Sequence, residues 1–145
     1  MNSFFMETFF VGFYCSALAF LLLMGMNISL LFFFVLGFAK HYLAYFLGIH
    51  DVYCNQGRAC IQRNSTNKQK YKATNKHLFL ESILEGIWFL IIGDLFMMFV
   101  GDKKHKKNTL LFFVFLFLAG GFTHLLAEFV GIHDYFCQQK CLLAK

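Results

Sequence analysis

Two histidines, an aspartate and a cysteine recur with the same spacing in two parts of the chain. The segment from His41 to Cys54 and the segment from His124 to Cys137 are identical at nine of fourteen aligned positions, without a gap. Imidazole, carboxylate and thiol groups can bind metals, transfer protons or form disulfides. The repetition therefore predicts two equivalent sites.

The first histidine of each segment predicts a cofactor site. Glycines flank His41 and His124 at the same offsets, four residues before and seven after: Gly37, Gly48, Gly120 and Gly131. Glycine on a helix face lets another helix or a flat ligand approach the backbone. Two opposed imidazoles can ligate haem b, and this arrangement is similar, in architecture alone, to the haem-carrying bundles of membrane cytochromes b. The alternative is that both histidines hydrogen-bond to neighbouring helices and the glycines allow tight helix packing.

A second candidate site lies toward one end of the helices, where glutamate, histidine and aspartate are expected at one level. The residues are Glu7, His50, Asp51, Glu81, His133 and Asp134. Their oxygen and nitrogen atoms are ligands for iron, copper or zinc, and four-helix bundles build metal sites from inward-facing groups of this kind. The alternative is that each His-Asp pair caps the end of a helix.

The second half of the chain carries additional acids. Glu85 follows Glu81 by one turn, and Glu128 follows His124 by one turn. These spacings place each pair on one helix face, so Glu85 and Glu128 are candidates for a proton or cation relay. An internal ion pair with Lys40 is the equally weighted alternative.

The elements that position these groups are membrane helices. Of 145 residues, 59% are hydrophobic, 22 are Phe and none is Pro, a composition too apolar for a soluble domain of this size. Four apolar runs, near 4–25, 28–50, 78–100 and 109–132, are long enough to cross about 30 Å of hydrocarbon. The predicted fold is an all-α integral membrane protein with four transmembrane helices.

The repeated segments indicate a tandem duplication of a two-helix hairpin. A weaker match pairs Glu7 and Gly12 with Glu81 and Gly86. We therefore predict an up-down bundle with pseudo-two-fold symmetry. Its units are a first repeat at 1–54, a basic polar link at 55–77 and a second repeat at 78–145, within one membrane domain.

Four spans place both termini and the long link on one side of the membrane, called side A. The opposite side, side B, has the two short turns. Four cysteines follow the ends of the second and fourth helices on side A, and we expect disulfides among them: Cys54, Cys60, Cys137 and Cys141. Disulfides favour an oxidising compartment, so side A is expected to face the periplasm, a lumen or the intermembrane space.

These features predict a small membrane redox subunit that binds haem b or a transition metal. The alternatives are a non-catalytic structural subunit of a larger membrane complex, and a cation or proton pathway through the acidic second repeat. Expected partners are membrane lipid, other membrane subunits and, for the redox function, quinone. The net charge of +5 lies in membrane-flanking segments, where anionic lipid accounts for it better than nucleic acid does.

Overall fold

The computed structural model describes residues 3–49, 78–100 and 109–130. This part of the chain is all-helical, with four helices and no strand. The helices are α1 (Ser3–Leu23), α2 (Leu30–Phe46), α3 (Leu78–Val100) and α4 (Thr109–Phe129). Each falls on one of the four predicted apolar runs, so within the described residues the helical class is confirmed and each predicted run contains a helix.

The ends of α2 follow from local backbone chemistry. Ser29 is the N-cap: its hydroxyl accepts a hydrogen bond from the Phe32 amide at 3.2 Å, which satisfies one of the free donors of the first turn. At the other end, Gly48 has a φ of 71°, a left-handed conformation that glycine adopts readily and that ends helices. The helix therefore stops at Phe46, four residues before the predicted boundary. Gly48 lies beyond it rather than on the helix face of His41.

Helices from different halves of the chain make the most extensive contacts. α2 packs along α3 and α1 packs along α4, while α1 touches α2 less extensively. One contact between α1 and α2 is the hydrogen bond that the Tyr14 hydroxyl donates to the Lys40 carbonyl oxygen at 3.3 Å. All four helices contribute to one buried apolar cluster: Cys15, Leu18, Ala19, Phe32, Phe33, Leu36, Phe89, Phe112 and Leu116.

Two of the helices are long and apolar enough to cross a membrane, judged by length and composition. The qualifying stretches are Phe5–Leu23 in α1 and Leu110–Ala127 in α4. α2 is apolar but has only 17 residues, which is at the lower limit for a span. α3 has 23 residues but carries Glu81, Glu85 and Asp94. Of the four predicted spans, those in α1 and α4 therefore meet the criteria of both length and composition.

Candidate functional site

The contact between His41 and Glu81 joins α2 to α3. The His41 Nε2 atom lies 3.2 Å from a carboxylate oxygen of Glu81. Their side chains are only 20% and 13% exposed. His41 is five residues before the end of α2 and Glu81 is the fourth residue of α3, so the contact lies near the end of one helix and the start of the other.

A lysine and a second glutamate lie directly beside this contact. Lys40 Nζ is 2.5 Å from a carboxylate oxygen of Glu85, and both side chains are largely buried. The ammonium also lies 5.2 Å from the centre of the Phe89 ring, within the range of a cation–π interaction. The structure thus supports the ion-pair alternative for Glu85: its carboxylate neutralises a lysine of the first half.

The corresponding contact between α1 and α4 is made by Glu7 and His124. The His124 Nε2 atom lies 3.9 Å from a carboxylate oxygen of Glu7, with side chains 7% and 25% exposed. The residue before His124 is Thr123 rather than lysine, and its hydroxyl donates to the Gly120 carbonyl oxygen at 2.8 Å. This second contact therefore has no lysine next to its histidine.

The two histidine contacts share one arrangement. In each, a histidine near the end of one helix meets a glutamate near the start of a helix from the other half of the chain. Neighbouring glycine contacts follow the same pattern. A Cβ added to Gly12 would meet the Phe117 carbonyl oxygen at 2.7 Å, and one added to Gly86 would meet the Phe34 carbonyl oxygen at 3.0 Å.

The glycines one turn before the histidines lie against neighbouring helices. A Cβ at Gly37 would be 2.6 Å from the Glu85 carbonyl oxygen and 2.7 Å from Phe89 Cβ. One at Gly120 would be 2.7 Å from Cys15 Cβ. The sequence left two roles open for these glycines, close approach of another helix or of a flat ligand. The structure shows close approach of another helix at both positions.

The two histidines meet different carboxylates, although the haem hypothesis expects them to share one iron. His41 Nε2 is directed at α3 and His124 Nε2 at α1. Bis-histidine ligation would require both rings to leave these carboxylates. Haem binding therefore stays a prediction.

The predicted metal site is not assembled by the part of the chain that the structure describes. Within residues 3–49, 78–100 and 109–130, no three histidine, cysteine or acidic side chains come together as a group that could hold a metal ion. Glu7 and Glu81 each contact a histidine, and the other proposed ligands lie outside the described residues, so the metal site stays a prediction.

Several predicted site residues, or their side chains, lie outside the part of the chain that the structure describes. The backbone of Glu128 belongs to α4, but its side chain is not described. The following lie outside the described residues altogether: His50, Asp51, Gly131, His133, Asp134, Cys54, Cys60, Cys137 and Cys141. Among the described residues the one cysteine is Cys15, a buried free thiol, and the disulfides stay a prediction.

An open apolar groove of about 920 Å³ runs along the outer face of α4, between the first turns of α1 and the last turns of α3. Its lining includes Phe9, Leu95, Val114 and Phe122, with Thr8 contributing a hydroxyl. Neither histidine lies in it, so the groove is separate from the histidine and glutamate contacts.

Sequence patterns did not predict how the glutamates and histidines pair. Glu7 and Glu81 were expected level with His50 and His133, which lie outside the described residues, so that expectation stays a prediction. Among the described residues, Glu7 meets His124 and Glu81 meets His41.

The part of the chain that the structure describes is an arrangement of four helices in which charged residues join helices from different halves of the chain. Comparisons with protein-family models, curated proteins and solved structures find no match for this chain.

Proposed function

We propose that this chain is an integral membrane protein with four spans that serves as a non-catalytic structural subunit of a larger membrane complex. The observation that supports the proposal is that acidic side chains pair with groups of neighbouring helices inside the bundle. Glu7, Glu81 and Glu85 each contact a basic or imidazole group of an adjacent helix. Polar groups inside a bilayer characteristically face the bundle interior and pair there.

The outer surface supports a membrane location. Only 22% of the apolar stretch of α1 and 39% of that of α4 are buried within the protein. Large side chains such as Phe9, Phe13 and Leu118 are about 60% exposed, and the same holds on all four helices. An apolar surface of this extent would associate in water, whereas lipid or neighbouring membrane subunits would cover it.

The glycine contacts support close helix association of the membrane type. Without a hydrophobic driving force between helices in lipid, small residues at interfaces bring the backbones together for dispersion contacts. Gly37 against α3 and Gly120 against α1 have this role in the bundle. The paired contacts of Gly12 and Gly86 are those expected of a tandem duplication, in which each repeat completes its packing on the other.

Under this proposal both termini and the link at 55–77 lie on side A. The preference for the periplasm, a lumen or the intermembrane space on that side rests on the cysteine spacing, and it stays part of the proposal. The partners proposed are lipid and other membrane proteins, because the exposed surface is largely apolar and Glu7, Glu81 and Glu85 contact groups of the same chain.

The membrane location is tested by washing native membranes with alkaline carbonate, and the subunit role by native electrophoresis after mild detergent extraction. The chain is expected to resist the wash and to migrate well above its own 16.9 kDa with its detergent. Release by carbonate would refute the membrane location. Migration as a single chain under conditions that preserve known complexes of the same membrane would refute the subunit role.

Haem b or a transition metal remains the competing proposal, and it has a direct test. A dithionite-reduced minus oxidised visible spectrum of the purified chain is expected to be flat if the role is structural, with no stoichiometric metal by mass spectrometry. A resolved alpha band that disappears in both His41→Ala and His124→Ala, but persists in His50→Ala, would establish haem ligation and overturn the structural role.

A further inference from the structure

The outer face of α3 carries an aspartate well inside the helix. Asp94 is exposed and lies six residues before the end of α3 at Val100, which is about 9 Å at 1.5 Å of rise per residue. Lysine and arginine side chains can extend toward the headgroups over such a distance, but the short side chain of aspartate cannot. A carboxylate facing lipid at this depth is costly, and charged groups in spanning helices are normally paired. The exposed face of α3 therefore needs a complementary charge at this level.

The basic and imidazole groups in the described part of the chain lie against other acids. Each contacts a glutamate of a different helix: Lys40, His41 and His124. The glutamates on α3 that take part are at least nine residues from Asp94 along that helix. A cation for Asp94 is therefore sought on another membrane helix. The turn at 101–108 of the same chain contains four lysines, and the experiment below distinguishes it from a partner.

Asp94 belongs to an exposed stripe that follows α3 along most of its length. The members are spaced alternately by four and three residues: Leu80, Leu84, Ile87, Ile91, Asp94 and Met98. Positions with this spacing form the seam along which a second helix packs at a shallow angle. From its first to its last member the stripe is about 27 Å long, nearly the thickness of the hydrocarbon core. Its length and shape thus fit a second membrane helix.

The stripe is separate from the face of α3 that packs on α2. That inner face contains Gly86 and Gly93, where an added Cβ would meet Phe34 and Phe33 of α2. The stripe is therefore available to a partner while the contact between α2 and α3 stays intact.

The first repeat has no charge at the position equivalent to Asp94. The offset that pairs Glu7 with Glu81 pairs Phe20 with Asp94. Phe20 is also exposed, and its ring centre lies 6.1 Å from that of Phe113 on α4. Lipid can cover this apolar face of α1 at no electrostatic cost. The carboxylate thus distinguishes α3 from α1 as the helix with a charged partner.

A second copy of this chain does not match the stripe in a two-fold symmetric contact. With the symmetry axis along the membrane normal, the same face of each copy would meet its counterpart. The two Asp94 carboxylates would then lie at one depth and face each other, and like charges across an interface are unfavourable. The charge of the stripe is complementary to a different helix, one that carries a basic side chain.

We propose that the α3 stripe from Leu80 to Met98 is the docking surface for a membrane helix of another subunit, and that this helix places a lysine or arginine against Asp94. The apolar members of the stripe supply the packing contacts, and the ion pair fixes the depth at which the two helices meet. The inference rests on the proposed role as a subunit of a membrane complex, and it names the surface and the charge that the partner contacts.

The partner is captured by photo-crosslinking in native membranes from two stripe positions on either side of Asp94. Ile91→p-benzoylphenylalanine and Met98→p-benzoylphenylalanine are made in the full-length chain, and the adducts are mapped by mass spectrometry. Both adducts are expected on one spanning segment of another protein, within one helical turn of a lysine or arginine. Leu118→p-benzoylphenylalanine, at an exposed position of α4, is the control and should not give this adduct.

The charge is tested by Asp94→Leu, which leaves the helix face apolar. The yield of the adduct from position 91 should fall by about tenfold or more, because the basic group of the partner loses its counter-charge. Asp94→Lys, combined with substitution of the captured basic residue by aspartate, should restore the yield. Asp94→Phe introduces the residue type of the equivalent position in α1 and should act as Asp94→Leu does.

Unfolding of the purified chain in SDS separates loss of docking from loss of the fold. Asp94→Leu and Asp94→Phe should unfold at the same SDS fraction as the wild type, since Asp94 is on the outer face. Destabilisation of the purified chain by both would place the partner of Asp94 within the chain and overturn the proposal.

An unchanged adduct yield in Asp94→Leu would also overturn the proposal. So would adducts confined to lipid, to the turn at 101–108, to a second copy of this chain, or to a segment without a basic residue at that level. These outcomes differ from failure of the subunit role. If the wild type migrates in a large complex and Asp94→Leu does so equally, the chain is a subunit that docks through another surface. If the wild type migrates as a single chain, the subunit role itself is refuted.

Discussion

Substituting Gly37 by alanine should separate α2 from α3. The added Cβ would lie 2.7 Å from Phe89 Cβ and 2.6 Å from the Glu85 carbonyl oxygen. Carbon atoms pack best at about 3.5 Å or more, so the helices must move apart by roughly 0.8 Å, the difference between 3.5 and 2.7 Å. The oxygen is part of the backbone, and no side-chain rotation removes the clash.

The expected cost combines two opposing effects. Overpacking of this kind costs about 1–3 kcal/mol, and alanine recovers up to about 1 kcal/mol through its higher helix propensity. A net loss of about 1–2 kcal/mol in the free energy of unfolding should result. The displacement also lengthens the contacts of Lys40 with Glu85 and of His41 with Glu81. The loss in the free energy of unfolding is therefore expected near the upper end of this range.

The free energy is measured by reversible unfolding in mixed micelles with increasing SDS, followed by far-ultraviolet circular dichroism. Gly25→Ala is the matched control, because a Cβ there meets nothing within 4 Å, and it should be neutral or slightly stabilising. Gly120→Ala tests the equivalent interface of α1 with α4, where the obstacle is Cys15 Cβ at 2.7 Å. If Gly37→Ala unfolds at the same SDS fraction as Gly25→Ala, the close approach of α2 and α3 is refuted.

Further predictions concern the ion pair, the helix cap and the cysteines. In the same unfolding assay, Lys40→Met should destabilise the chain by about 3–5 kcal/mol because it leaves a buried carboxylate unbalanced. The double variant Lys40→Met/Glu85→Leu should recover most of that loss, and additive losses would contradict the pairing. Ser29→Ala should lower the free energy of unfolding by about 1 kcal/mol because the N-cap hydrogen bond is lost. An unchanged free energy of unfolding would contradict a stabilising role for this cap. Mass mapping without reduction should find disulfides among Cys54, Cys60, Cys137 and Cys141, and four alkylatable thiols in native membranes would contradict the oxidising side A.

The sequence alone was sufficient for the helices and for the level of the charged groups. Long apolar runs without proline have few alternatives to helix, and the constant rise of 1.5 Å per residue converts positions along the chain into depths. Glu7 and Glu81 could therefore be placed in the first turns of their helices before any contact was known. The glycines beside the histidines likewise indicated close approach by another helix or a ligand.

The partner of each group depended on the lateral arrangement of the helices, which periodicity does not encode. An apolar helix that is hydrophobic nearly all round has no single face to indicate its neighbour. Only the tertiary structure established that α2 lies along α3 and α1 along α4. That arrangement gives His41 and His124 separate carboxylates on different helices, whereas the sequence left open both a shared haem and contacts with neighbouring helices. It also showed Glu85 in contact with Lys40, because the two side chains belong to adjacent helices at the same depth, while the relay role stays a prediction.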